Sequence, residues 1–401
     1  FWSDGNIDIY ITLVKGYASG IDTKLVPLLF KNNGDSFEMV SENYANEIPK
    51  SSGARRGCSI DDVLGLKAIF HIGHDTGDGY RNDAFMFSTE NEPINLTSTN
   101  LPKLPLSENL ARDNAVNAHS LACGDINGDE LTDLIIGEWT HEIGGPYALI
   151  QNQNKSFEVV QNDFYTSLIK MPNVNSDITH PSLLIDLHLA DVNGDGFDDL
   201  ITGYGSGSSH SHLFINNGSG EFSIESKTDL PLSIYGLDNT LHLFTWSFDK
   251  DKDGDLDILF LHSRNDPYYG GHTFQLLEND GTGIFSDVTS ASFSYRDDSH
   301  FFGDRLEWSD RFDLIDVNND GFIDLVGSDK DGVMLFLGQE GMKFEEVSFR
   351  AASSIDRLTW TRAYFVKMKN DEVHALVWKD LYDPAEDEYD FWVDHYKISQ
   401  N

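Results

Sequence analysis

Asp191, Asn193, Asp195 and Asp199 place oxygen-bearing side chains at positions 1, 3, 5 and 9 of a nine-residue stretch. Gly196 follows the fifth position, and the apolar run Leu200-Ile201 follows the ninth. Alternate residues of a tight loop point inward, so this spacing lets a short segment wrap a hard cation. Ca²⁺ takes roughly six to eight oxygen ligands at about 2.3–2.6 Å, and a glycine permits the sharp bend.

The pattern recurs. Asp125, Asn127, Asp129 and Asp133 repeat it, with Glu130 in place of the glycine. Asp249, Asp251, Asp253 and Asp257 form the most acidic copy, and Asp316, Asn318, Asp320 and Asp324 form another complete one. One Asp-rich nonamer is weak evidence. Four in register, each leading into an apolar strand, predict about four Ca²⁺ sites. Four side-chain oxygens, a backbone carbonyl and a water nearly saturate such an ion. The expected role is therefore structural, a cross-link between the following strand and its own loop.

The elements that must position these loops are strands. Some 20–29 residues after each ninth position comes an apolar strand, a turn, and a phenylalanine opening the next strand. Asn32-Asn33-Gly34 to Phe37, Asn216-Asn217-Gly218 to Phe222 and Asn279-Asp280-Gly281 to Phe285 are examples. Asn-Gly and Asp-Gly supply the positive φ of a tight hairpin. Each unit then reads as strand a, cation loop, strand b, variable loop, strand c, hairpin, strand d. No segment has a sustained helical period. Asp4 to Asp8 aligns with Asp320 to Asp324, so the chain starts inside a repeat and is expected to be a piece of a longer chain or assembly. Gly77-Asp78-Gly79 has the look of a degenerate loop, and the segment near Asp371 keeps strands without a loop. Centres near 4, 78, 129, 195, 253, 320 and 371 predict an all-β fold: a seven-bladed β-propeller of four-stranded antiparallel blades with calcium-binding a–b loops. Residues 1–401 form one domain in this reading, with the first blade lacking strand a and the last lacking strand d. Radial stacking buries both faces of sheets that cannot do so alone.

These motifs resemble the FG-GAP/VCBS repeat family, which includes the integrin α-subunit propeller and many secreted bacterial proteins. The resemblance implies Ca²⁺ in the a–b loops and leaves the activity open.

The net charge of −39 repels nucleic acid and anionic membrane surfaces. Four divalent ions would leave most of it in place. The charge suits a secreted or cell-surface protein. No run of about 18 apolar residues predicts membrane insertion. Cys58 and Cys123 either pair or sit as small buried residues, the second being the expectation.

The long, irregular connections are the b–c loops and the crossovers between blades, on the face opposite the calcium loops. They carry Trp139 and His141, His210 and His212, then Arg264, Tyr268, Tyr269 and His272, and finally Tyr295, Arg296 and Trp308. Rings that stack on sugar faces, beside planar polar groups that bind hydroxyls, suit a glycan. Two histidines at i, i+2 without a third ligand do not make a zinc site. No nucleophile elbow, phosphate loop or His-Glu-x-x-His is present. The expected function is calcium-stabilised recognition of a glycan or extracellular protein, as in adhesion. A polysaccharide-degrading enzyme, with His262, Tyr268, Tyr269, His272 and Arg296 as acid–base and charge-neutralising groups, is the alternative. A structural spacer is the third reading.

Overall fold

The computed structural model describes residues 8–11, 28–41, 54–73, 82–88, 94–105, 115–138, 145–171, 183–205, 210–268, 270–294, 312–329, 332–347, 359–368, 370–383 and 388–398. They form a β-propeller. Four sheets are four-stranded and antiparallel. Blade A holds Ala54–Val63, Leu66–Gly73, Phe85–Ser88 and Ile94–Asn95. Blade B holds Ala118–Gly124, Asp133–Glu138, Tyr147–Gln151 and Phe157–Val160. Blade C holds Leu183–Ala190, Asp199–Gly205, His212–Phe214 and Lys227–Asp229. Blade D holds Thr240–Phe248, Asp257–Arg264, Thr273–Asn279 and Phe285–Asp287. Blade E has the same four antiparallel strands, Phe312–Ile315, Asp324–Asp329, Gly332–Gln339 and Lys343–Glu346, and Phe293–Ser294 adds a parallel fifth at its outer edge.

The chain ends depart from this plan. The N-terminal sheet (Ile9–Ile11, Leu28–Asn32, Phe37–Met39) and the C-terminal sheet (Thr359–Lys367, Val373–Asp383, Glu388–Ile398) are three-stranded. They share a cluster of Ile9, Leu28 and Phe30 with Val366, Met368 and Leu376. Seven separate four-stranded blades are therefore not what forms. Counting the two incomplete sheets, which share this core, as one closing unit gives six units, not seven.

Why the ring holds is legible in the strand after each loop. Asp133–Glu138 and Asp199–Gly205 are buried on both faces, which requires a continuous apolar run rather than alternation. Clusters run between successive blades, with Phe70, Leu134 and Tyr147 joining A to B and Ile201, Ile258 and Phe260 joining C to D. The helix Asp163–Leu168 wedges Phe164, Tyr165 and Leu168 between B and C, with Asn162 accepting from the backbone N–H of Phe164 and Tyr165. At six residues it is too short to show a helical period.

Two sequence expectations are corrected here. Cys58 and Cys123 form a disulfide, which joins the first strands of blades A and B. In blade A the a–b connection is the tight turn at Leu64 and Gly65, both at positive φ. The stretch around Asp78 falls in the b–c connection instead, at the other end of the blade, and residues 74–81 lie outside the described residues. The glycine in Asp62-Val-Leu-Gly65 was the available signal.

Candidate functional site

The four acidic loops fold by bonding their own backbone. Asp191 Oδ1 accepts from Gly194 and Asp195 N–H, and Oδ2 from Gly196 N–H, at 2.8–3.1 Å. Asn193 then accepts from Asp195 N–H, and Asp195 from Phe197 N–H. Asp125 and Asp316 organise their loops in the same way. Positions 4 and 6 both take positive φ in every copy: Gly128 and Glu130, Gly194 and Gly196, Lys252 and Gly254, Asn319 and Gly321. Glu130, where the pattern loses its glycine, adopts the same backbone at φ 63° and carries the strain.

The ninth-position carboxylates do a distinct job. Asp133, Asp199, Asp257 and Asp324 are buried. One oxygen accepts from the second loop residue: Ile126, Val192, Lys250 or Val317. The other accepts from a backbone N–H at or just past the end of strand c: Gln151, Asn216, Asn279 or Gly338, at 2.7–3.0 Å. Asp8 accepts from Asn32 N–H in the same way, which identifies it as the ninth residue of the N-terminal unit. Burial pushes these four carboxyls up, against the pull of their N–H donors, and neighbouring loop carboxylates push further. Asp133 rises to about 7, and Asp199, Asp257 and Asp324 to about 6.

These loops offer only hard oxygen donors. In loop 249–257 one carboxylate oxygen from each of Asp249, Asp251 and Asp253 lies within 4.8 Å of the others, close enough for one ion to reach all three. The donor set fits Ca²⁺. Asn127, Asn193 and Asn318 supply an amide oxygen at position 3 of the other loops, a weaker but equally hard donor.

Sequence reasoning missed how the loops are tied to the next blade. Asn216 Nδ2 in blade C donates to Ile126 O of the blade B loop at 2.8 Å, and Asn279 Nδ2 in blade D to Val192 O at 2.7 Å. Gln151 reaches Asp62 O, and Asn32 reaches Met368 Sδ where the chain ends meet. Blade E has Gly338 at this place, and a Cβ there would overlap Ile323 O. The donor comes from the other side: buried Lys250 sends Nζ to Gln339 O at 3.1 Å and lies 4.5 Å from the Phe344 ring centroid. Burial lowers this ammonium to about 8, and Asp324, Asp320 and Asp257 oppose the shift.

On the opposite end, five of the predicted ligand residues are described. Tyr268 is 57% exposed, in a turn that contains the cis bond Asp266–Pro267. Arg264 lies over the Tyr235 ring at 5.3 Å. Leu232 and Ile234 are exposed on the adjoining crossover. His272 packs against Phe274 and Phe312. His210 bonds Leu230 O through Nδ1. His212 is a correction: it is buried against Tyr204 and Phe214, and burial lowers it to about 4. His262, named for acid–base work, is likewise buried, bonded to Gln275 and lowered by burial to about 3. Trp139, His141, Tyr269, Tyr295, Arg296 and Trp308 lie outside the described residues.

A second group, also missed, crosses the middle. The first strands of blades A, B, C and D each carry a register shift, at Ala54/Arg56, Ala118/Ser120, Leu184/Asp186 and His242/Phe244. The bulged residues Ile185 and Leu243 turn their carbonyls to Arg56, whose Nη2 donates to both, at 3.3 and 2.8 Å. Arg56 also pairs with Asp186 at 3.3 Å and stacks on Phe244. It reaches blades C and D past blade B, so it spans the axis. Burial pushes Asp186 up, but Arg56, and to a lesser degree His242, hold it below the usual carboxylate range. His242 bonds Ser211 and Thr245. Nothing in the sequence around Arg56 marks it, because bulges in separate strands create its partners.

Residues 191–260, from the first ligand of one loop through the whole of the next, match an FG-GAP-like repeat. The chain carries an FG-GAP-like repeat. Two solved structures share the propeller fold. One is an Agrocybe aegerita lectin, described for recognition of non-reducing terminal N-acetylglucosamine, with TM-score 0.54, 15% identity, and 92% of this chain and 87% of that one covered. The other is the periplasmic gluconolactonase PpgL of Pseudomonas aeruginosa, with TM-score 0.50, 10% identity, and 94% and 95% covered. No curated protein matches the sequence. Among the described residues no helix is long and apolar enough to cross a membrane.

Proposed function

We propose that this FG-GAP-like propeller is a calcium-stabilised recognition module that binds a glycan through the face opposite its acidic loops. The observation that carries the reading is the b–c connection of blade D, where Tyr268 is exposed and Arg264 lies over the ring of Tyr235, on the crossover that also exposes Leu232 and Ile234. A ring that stacks on an apolar sugar face, next to a planar donor for hydroxyls, is what such a ligand needs. The lectin neighbour supports the reading only as a propeller that recognises a sugar. Ca²⁺ would be held by the four acidic loops, which anchor the blades and leave the other face free. The burial of His262 weakens the acid–base alternative that names it. The disulfide and the acidic surface support a site of action outside the cell.

The test is retention on a panel of neutral and acidic glycans in millimolar Ca²⁺, with chain length followed in parallel. Retention by at least one glycan, weakened about tenfold by Tyr268→Ala, is expected. Shortening of the glycan, or binding indifferent to Tyr268→Ala and Arg264→Ala, would reject the reading.

A further inference from the structure

Loop 316–324 differs from the other three in already holding a cation. Lys367 Nζ lies 3.4 Å from Oδ2 of Asp316, the first-position carboxylate. Among the described residues no such ion pair falls on Asp125, Asp191 or Asp249. Lys252, inside the most acidic loop, reaches across to the Phe322 ring of loop 316–324 at 4.1 Å, and Lys250, bonded to Gln339 O, acts on Asp324 and Asp320 of that loop before Asp257 of its own, so both add to the positive charge around loop 316–324.

The strand register explains where the lysine comes from. Lys367 pairs with Val373 as Gly124 pairs with Asp133, Ala190 with Asp199, Phe248 with Asp257 and Ile315 with Asp324. In the C-terminal sheet the ninth-position residue is thus Val373, buried with Val317 and Val326. The loop has shrunk to a turn closed by the Met368 N–H to Glu372 O bond. A strand end that is small or apolar elsewhere here carries an ammonium, and it leans onto the neighbouring blade's loop.

We propose that Lys367 is a built-in counter-ion that makes loop 316–324 the weakest of the four calcium loops. Loop 249–257, with three convergent carboxylates and no such partner, is the strongest. The inference rests on the calcium reading above. A Ca²⁺ entering loop 316–324 must displace the ammonium from Asp316 or sit a few ångströms from it, and either outcome lowers affinity. The junction between blade E and the C-terminal sheet is correspondingly the one that is neutralised without metal.

Calcium titration of the whole chain against a chromophoric chelator, with bound ions counted by native mass spectrometry, tests this. The intact protein should fill three sites first and a fourth at roughly tenfold higher concentration. Lys367→Gln should tighten that last site about tenfold, and Lys367→Arg, which keeps the charge, should leave it weak. Adding Asp320→Asn to Lys367→Gln should abolish the gained site. Unchanged constants in Lys367→Gln, or a gained site that survives Asp320→Asn, would overturn the inference and leave the calcium reading standing. Binding of no calcium by any variant would overturn both.

Discussion

Replacing Arg56 with methionine removes a buried charge while keeping a flexible stem. The structure sets the size of the effect. The guanidinium makes hydrogen bonds of 3.3 and 2.8 Å to two bulge carbonyls and an ion pair of 3.3 Å to Asp186, whose side chain is 7% exposed. At an effective dielectric of about 20 the pair alone is worth roughly 5 kcal/mol before desolvation. Breaking a buried pair from one side costs about 3–5 kcal/mol, because the remaining charge is stranded. A loss of about 4 kcal/mol is expected. With an unfolding entropy of about 2.1 cal/mol/K per residue, that lowers Tm by about 5 °C for a chain of 401 residues. Urea denaturation and calorimetry on Arg56→Met, Asp186→Asn and the double variant would measure it. The double variant should recover a large part of the loss, since no unpaired charge remains. Arg56→Lys should fall between, because an ammonium cannot satisfy two carbonyls and a carboxylate in one plane. A single-variant loss below about 1 kcal/mol, or a coupling energy near zero, would show that Arg56 does not bridge the axis and would refute the argument.

Other outcomes follow from the same geometry. Removing Ca²⁺ with a chelator should lower Tm by several degrees and raise susceptibility to proteolysis within the acidic loops, since three carboxylates in loop 249–257 then face one another unscreened; an unchanged melt would count against metal in these loops. Glu130→Gly should stabilise the protein by about 1 kcal/mol, because the residue holds φ 63° at no evident gain; equilibrium unfolding decides it. His71 and His262 are buried and lowered to about 3 by desolvation. A depressed folded-state value contributes stability that is complete above the unfolded value of about 6.5 and is lost as pH falls through it toward the folded value. This histidine contribution should therefore fade between pH 7 and 4, against the opposite effect of the raised carboxyls of Asp133, Asp199, Asp257 and Asp324, and His262→Gln should raise the pH 4 melting temperature relative to that at pH 7, compared with the parent protein.

Much of the fold was written in local spacing. Asp191 to Asp199 and its three copies announced the loops, and Asn216, Asn279 and Asn32 announced the hairpins. These features are legible because a turn with positive φ and a carboxylate that caps nearby N–H groups need only residues a few positions apart. Where the local signal faded, the reading slipped. The stretch at Asp78 imitates an acidic loop but falls in a b–c connection, because the modest turn at Leu64-Gly65 makes the a–b link. His212 read as a surface ligand because alternation from an exposed loop does not reveal that Tyr204 and Phe214 close over it.

The sequence by itself determined the repeated unit, its antiparallel strands, the oxygen-only character of the loops and the acidity of the surface, all set by side-chain type at short range. Only the tertiary structure decided the rest. It joined Cys58 to Cys123 and brought Arg56 to Asp186 across the axis. It gave blade E a lysine from its neighbour where blades B, C and D use a glutamine or an asparagine, and set Lys367 against Asp316. These partners are separated by 51 to 130 residues. Their meeting depends on where bulges, blade order and ring closure place backbone that no local pattern encodes.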